Sequence, residues 1–554
     1  MKQNSTSRNK RFYVLKTVLI LLSALLVFVT GCSAGDKGGA SHTAEGTGSA
    51  GATGDKQVVV AVASDPGIDQ LDAGTYKGSI QVHPMIYDSL VEYGEKGEIL
   101  SSLAESWTIS PDGKEYTFKL RKDVKFSDGT EFNAAAVKFS FERWYKDPTN
   151  SSINVAKALQ EITAVDAHTV KMTFSQAFYP FLTELTYARP VRILSPSAVE
   201  PAGDVKGKFV KPIGTGAWKV ESYTKDQQAV LVRNPNYWGK APLLNKIVLK
   251  VVNDPQSRLL ALQNGSVDIS GGQMGKIAPE SIQVAQKSDS LTVQSAPGSN
   301  SHFVVFNGSN PFLQDVNVRK AINLAVNKKS IVDKLMGGMG KEAQGLFPAT
   351  VPYVTADNIR WYGYEPEQAK QLLKEAGFAD TNGDGIVEKN GKPLELNFVL
   401  QQTEFPEWKS IAEFVQSQLK EIGINVNLKV LESNAYYDAL WKNKQYDMLI
   451  YRTYADSQNP HFFLLSLFHR TGNAPAVAWA DPQLEALIDE AMGATDTKAR
   501  QDKYDALFGR MFQQAMVLPV YYPDDIFVVN NRVKGFKLGQ TAYLPVVWNE
   551  LDVK

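Results

Sequence analysis

One stretch of the chain, residues 17–29, is a long apolar run, and its 13 residues are too few for a relaxed membrane span. Lys2, Arg8, Lys10, Arg11 and Lys16 precede it with no acidic residue among them. A basic start followed by a short apolar stretch has the form of a secretory signal, removed on export. No second long apolar run follows, so nothing else in the sequence is expected to span a bilayer. Cys32, immediately after this segment, is the single cysteine in 554 residues. No internal disulfide can therefore form, although an exported compartment would permit one.

The run ends in Val29-Thr30-Gly31-Cys32, which resembles the lipobox of bacterial lipoproteins. That resemblance implies cleavage before Cys32 and a lipid on its sulfur. The only covalent group expected is this lipid, and two acyl chains give a stable anchor where one does not. The location expected is the extracytoplasmic face of the cell membrane. Residues 32–56, rich in Gly, Ala, Ser and Thr, cannot bury a core and read as a flexible tether of roughly 25–30 Å. A formal G-x-G-x-x-G at 46–51 has neither a strand before it nor a helix after it, so it reads as chance. Without residues 1–31 the chain carries a net charge of −5. No clustered basic face is apparent, which speaks against a nucleic-acid partner.

The body mixes strand and helix periods. Val58, Val60 and Val62 alternate as a first strand, and Tyr116, Phe118 and Leu120 alternate after the Pro111-Asp112-Gly113 turn. Asn133 is placed to cap a helix through Val137 and Phe141 to Trp144, ended by Pro148. Residues 163–174 read as one strand, and 214–268 as strands and turns with a short helix near 257–263. Further on, Val318, Ala321, Ile322, Ala325 and Val326 recur at helical spacing. Pro366 opens a helix that Gly377 stops, and Ile411 to Ile422 gives another apolar helical face stopped by Gly423. Ile424 to Val430 alternates as a strand. Strand–helix alternation argues for α/β lobes. The aromatic-rich last 35 residues are extended, as if the chain returned to complete the first lobe.

Three stretches carry a family resemblance. The first runs from Leu103-Ala104-Glu105-Ser106-Trp107 through Pro111-Asp112-Gly113-Lys114 to Phe126-Ser127-Asp128-Gly129. The second joins Gly214-Thr215-Gly216-Ala217-Trp218, Arg233-Asn234-Pro235-Asn236-Tyr237-Trp238-Gly239 and Gln263-Asn264-Gly265-Ser266-Val267-Asp268. The third is Val318-Arg319-Lys320-Ala321-Ile322-Asn323-Leu324-Ala325. Together they resemble the extracytoplasmic solute-binding proteins of family 5, the nickel, dipeptide and oligopeptide receptors of ABC importers. The motif residues themselves read as structural: Asp128-Gly129 and Asn234-Pro235 suit turns, and Gly214 and Gly216 a tight chain path. The resemblance implies an α/β, two-lobed periplasmic-binding-protein-like fold (type II, cluster C) with an extra N-terminal subdomain and an interlobe ligand cleft. It implies a signal at 1–31, the tether at 32–56, lobe I at 57–298 with the extra subdomain at about 96–205, lobe II at 299–518, and a return to lobe I at 519–554. The chain should change lobe near 296–303 and 518–522. Its partners would be permease and ATPase subunits, and it would act as a monomer, not an enzyme.

Two ligand classes stay open. Tyr179-Pro180-Phe181-Leu182, Glu184-Leu185 and Arg189-Pro190-Val191-Arg192 resemble the nickel receptors, where the first arginine of this run meets a carboxylate of a metal chelate. Carried over, that is Arg189, whose guanidinium matches a carboxylate bidentately. In Tyr451-Arg452-Thr453-Tyr454-Ala455-Asp456, the resemblance gives Tyr454 a stacking role against a chelate. It gives Asp456 the role of an acid that holds a peptide amine. His469, with His461 as runner-up, is the candidate metal-completing histidine, and Arg470 and Asn473 are candidates for chelator carboxylates. Six scattered histidines and no spare thiol argue against a bare-ion site. The expected ligand is Ni(II) or a related metal as an organic chelate; the alternative is a dipeptide or oligopeptide. Asp380-Thr381-Asn382-Gly383-Asp384-Gly385 opens like a calcium loop but has Gly391 where the closing Glu belongs. The rival function, an exported hydrolase, lacks G-x-S-x-G, H-E-x-x-H and any Cys/His cluster. A haem-capturing or peptide-sensing role on the same fold stays open.

Overall fold

The computed structural model describes residues 56–94, 98–146, 158–453, 460–470, 476–479, 481–494, 496–541 and 544–554. Cys32 and the expected tether up to residue 55 lie outside the described residues, as do Tyr454, Asp456 and Asn473. No described helix is long and apolar enough to cross a membrane.

Two sheets organise the body. The first has seven strands in the order Trp218–Thr224, Gln228–Arg233, Lys246–Val251, Gln57–Val62, Ile269–Gly271, Asp524–Asn530, Leu291–Pro297. The alternating valines 58, 60 and 62 are buried on it, and Gln57–Val62 runs parallel to Lys246–Val251 along its whole length. The second has six strands in the order Lys341–Glu342, Val517–Tyr522, His302–Phe306, Met448–Arg452, Glu395–Leu400, Asn425–Val430. A separate four-stranded antiparallel sheet, Ala104–Ile109, Glu115–Leu120, Thr169–Phe174, Leu159–Asp166, shares the first sheet's main core. The second sheet carries its own core, centred on Phe303–Phe306, Leu396–Leu400 and Met448–Tyr451.

Local signals set the helices. Asn133 Oδ1 accepts from Ala136 N at 3.0 Å and caps Ala134–Glu142. Val316–Ala325, Pro366–Glu375 and Glu407–Glu421 follow the apolar periods, and Gly377 and Gly423 end the last two with positive φ. One expectation is corrected. Residues 163–174 form not one strand but a hairpin of Leu159–Asp166 and Thr169–Phe174. Asp166 Oδ1 accepts from His168 N at 2.8 Å, an Asx turn hidden within an alternating apolar pattern.

The family motifs hold the fold. Asp88, buried, accepts from Trp238 Nε1 and Thr215 Oγ1, both at 2.8 Å, and Asn234 Nδ2 donates to Gly216 O at 2.8 Å. The two glycine-containing segments are thus bound to each other. A Cβ on Gly214 would stand 2.1 Å from Ile86 O, so this path excludes any side chain. Asp268 is only 1% exposed; its carboxylate accepts from Val59 N at 2.8 Å and from Arg532 Nε and Nη2 at 2.5 and 2.6 Å. It therefore ties the first strand, its own strand and the returning C-terminal chain together.

The chain passes between the two sheets twice. Leu291–Pro297 belongs to the first and His302–Phe306 to the second; Val517–Tyr522 belongs to the second and Asp524–Asn530 to the first. The crossings run side by side, and Gly298 N donates to Pro523 O at 3.1 Å. Replacing Asp268 by Ala strands the Val59 amide and removes the carboxylate partner of the Arg532 guanidinium. It should cost about 2–4 kcal/mol in denaturant unfolding, and a loss under 0.5 kcal/mol would contradict this role.

Candidate functional site

Arg189 follows the short helix Phe181–Glu184, and the Arg189-Pro190 bond is cis. The side chain is half-buried, and Nη1 donates to Gly78 O at 2.5 Å. His83, fully buried, stands beside it, with Nε2 3.1 Å from Lys77 O. Burial, with the positive charges of Arg189 and Arg192 adding to it, holds the His83 ring down to about 3. The ring is therefore neutral, with Nε2–H donating to Lys77 O. Two successive carbonyls, 77 and 78, are held by an imidazole and a guanidinium. Gly78 has φ +74°, and a Cβ there would meet Leu71 Cδ1 at 2.7 Å, so glycine is required. His83 was not singled out by sequence reasoning, because nothing in its neighbourhood marks it until Arg189 arrives 106 residues later.

A cavity of about 350 Å³ opens beside this carbonyl, with Gly78, Ser79, Gln81, Asp65 and Tyr223 in its wall. Asp65 is already satisfied: it accepts from Gly67 N at 2.6 Å, Tyr223 OH at 2.8 Å and Asp226 N. Burial works against its ionised form, but these hydrogen bonds outweigh it and leave the carboxyl below its usual range. Arg192, the second arginine of the same run, is 2% exposed and spends its donors on Tyr87 O, Tyr187 O and Glu92. It is a structural group.

The same segment meets the second half of the molecule. Tyr179 OH and Tyr504 OH lie 2.9 Å apart, and the Arg500 guanidinium sits 3.6 Å above the Tyr179 ring. Tyr353 stacks on Tyr504 at 4.4 Å, and Tyr187 packs on Phe462 at 6.0 Å. At the centre, Glu184 Oε1 contacts His461 Nε2 at 3.1 Å, with the two side chains 0% and 1% exposed. Tyr353, His461, Phe462, Arg500 and Tyr504 all come from the part of the chain built on the second sheet. This aromatic and polar seam joins the halves.

The predicted site residues are not all brought together. His461 is in the seam, but its Nε2 is engaged by Glu184. A carboxylate on one ring nitrogen fixes the orientation of the ring and speaks only for that nitrogen. His469, the first candidate, has Nδ1 2.7 Å from Arg470 O and Nε2 3.1 Å from Asp489. Arg470 Nε lies 3.0 and 2.9 Å from the two oxygens of Glu485, and its side chain is 53% exposed. Glu184 stood within the quoted motif, whereas Arg500 and Tyr504 carried no sequence signal. The 380–388 turn brings oxygens of Asp380, Asp384 and Glu388 within 4.8 Å of one another. Backbone amides of Gly383 and Gly385 bond Asp380 there, and Thr381 bonds Glu388, as in a closed hairpin turn.

Residues 98–475 match the bacterial extracellular solute-binding proteins, family 5 (middle). The nickel-binding periplasmic protein of Escherichia coli is 32% identical over 466 residues, covering 83% of this chain and 87% of that protein. A probable D,D-dipeptide-binding periplasmic protein of the same organism is 29% identical over 463 residues, covering 81% and 85%. The crystal structure of NikA from Brucella suis in complex with Fe(III)-EDTA superposes with a TM-score of 0.83 at 30% identity, covering 90% of this chain and all of that one. The chain belongs to family 5 of the bacterial extracellular solute-binding proteins, with their two-lobed α/β fold. Members of this family bind small ligands and work with ABC permease and ATPase subunits; the matches are transport proteins, not enzymes.

Glu184→Ala would leave His461 buried without its carboxylate. A loss of about 1–3 kcal/mol in equilibrium unfolding is expected; wild-type stability would show that the pair does not hold the seam.

Proposed function

We propose that this family 5 receptor captures a transition-metal ion already wrapped in a carboxylate-bearing organic chelator, with Ni(II) or a related metal as cargo. The observation that carries the reading is Arg189. It is half-buried next to the interlobe seam, oriented by Gly78 O and backed by a neutral His83. A guanidinium in such a setting keeps its charge and offers a planar edge to a carboxylate. The metal's own donors come mainly from the chelator, because the six histidines are scattered along the sequence and no thiol is spare, with His469 or His461 adding at most one completing donor. The similarity to the nickel-binding protein and to the Fe(III)-EDTA complex supports this choice. Tyr454, Asp456 and Asn473, in the segments that flank the helix Pro460–Phe468, are assigned to stacking, to an amine and to a carboxylate of the same ligand.

The second reading, a dipeptide or oligopeptide as ligand, is favoured by Asp456 as an acid for a free amine and by the D,D-dipeptide-binding relative. In either case the protein acts as a monomer tethered by lipid on Cys32 to the extracytoplasmic face of the membrane, and hands its ligand to permease and ATPase subunits.

Thermal denaturation with Ni(II)–L-histidine, free Ni(II), and di- to pentapeptides separates the readings. The chelate should raise the Tm by several degrees, and free Ni(II) much less. A rise with peptides alone would reverse the assignment. Arg189→Ala should weaken chelate binding by about 10- to 100-fold; unchanged binding would remove Arg189 from the site.

A further inference from the structure

One ion pair spans the molecule beside the two crossings. Lys276 follows the strand Ile269–Gly271 of the first sheet, and Glu407 is the first residue of Glu407–Glu421, a helix packed in the second core. Lys276 Nζ lies 2.9 Å from Glu407 Oε1 and 4.6 Å from the centre of the Phe405 ring. Tyr521 OH stands 3.4 Å from the same Glu407 oxygen. The Glu407 side chain is 10% exposed and that of Lys276 36%. The pair borders a cavity of about 100 Å³ walled by both crossings, through Asn300 on one and Pro523 on the other.

Two further acids, Asp524 and Asp525, line the same cavity from the first-sheet side. Asp525 pairs in register with Ala296, and its carboxyl lies 3.6 Å from where a Cβ on Gly298 would stand. Lys276 therefore bonds a carboxylate across the hinge and shares the cavity with Asp524 and Asp525 on its own half, its charge acting on Asp525. Burial pushes the Asp525 carboxyl up to about 6, with Lys276 opposing the rise and Asp524 adding to it.

We propose that Lys276 is a hinge latch that exchanges partners, holding Glu407 when the lobes are closed and Asp525 when they part. The two carboxylates compete for one ammonium, so the energy lost when Glu407 withdraws is partly returned by Asp525. The open-to-closed ratio is thereby set at the hinge, away from Arg189. Protonating Asp525 removes the rival and favours closure, so the closed fraction rises as pH falls through about 6. The titratable groups that line the cavity with Asp525 are Lys276, Asp524, Glu407, His302 and Tyr521, and of these Lys276 and Asp524 act on its carboxyl. Burial holds the His302 ring well below its ordinary range, with Lys276 and Arg452 adding to the effect, and burial pushes the Tyr521 phenol well above its own. Neither changes charge between pH 5 and 7.5.

The test uses the ligand-free mature chain with Cys32→Ser and single-molecule energy transfer between dyes at Val284→Cys and Val430→Cys, one exposed position on each half. Glu407→Gln should shift the ratio toward open by about two- to five-fold. Asp525→Asn should shift it toward closed by a similar factor and abolish the dependence on pH between 5 and 7.5. Lys276→Met should make both further substitutions silent. Shifts in the same direction, or none, would overturn the latch. If Glu407→Gln does not fold by circular dichroism, Asp525→Asn and Lys276→Met must still move the ratio in opposite directions, and failure to do so has the same meaning. No ligand is added, so a failure here is separate from a failure of the chelate assignment.

Discussion

Two halves, each with its own buried core, communicate through two short crossings, and this constraint governs the rest of the molecule. Four residues, 298–301, and the single residue Pro523 carry the chain from one sheet to the other. The Gly298 N–Pro523 O hydrogen bond binds the crossings together, and a side chain on Gly298 would stand 2.6 Å from that oxygen. A hinge this narrow lets the halves move as bodies, because each keeps its own buried core. It also means that contacts elsewhere between the halves are additions to the hinge, and each can be made or broken separately.

Those contacts are polar and aromatic. The Glu184–His461 pair, the Tyr179–Tyr504 hydrogen bond and the Arg500–Tyr179 contact form the seam, and Lys276–Glu407 lies at the hinge. A seam of tyrosines and paired charges can be hydrated when it opens, whereas a seam of leucines would resist opening. Arg189 stands beside this seam and belongs to the segment that forms its first-half surface. A ligand that engages Arg189 would therefore be close to the contacts that report closure.

Much of this was legible in the sequence. Asn133 and its amide partner Ala136 are three residues apart, and Gly377 and Gly423 end helices by their own backbone preference, so each signal was local. The valine alternation at 58–62 marked a buried strand for the same reason. The 159–174 hairpin was less legible, since its turn consists of Ala167-His168 and lacks Gly or Pro. The site was legible only in part. Arg189 stood out in its motif, but its orientation depends on Gly78 and His83, more than 100 residues away. His469 and His461 looked alike as lone histidines, and only the arrival of Asp489 and Glu184 gives each a partner. Arg500 and Tyr504 sit on an ordinary amphipathic helix, where nothing distinguishes a seam residue from a surface or core one.

The central claim is that the two lobes close on a metal chelate whose carboxylate meets Arg189. Anomalous difference density at the nickel absorption edge, from crystals grown with Ni(II) and excess L-histidine, tests it most directly. The account predicts one strong peak between the lobes, with a chelator carboxylate bonded to the Arg189 guanidinium. A cleft without nickel, or a nickel peak remote from Arg189, would contradict it.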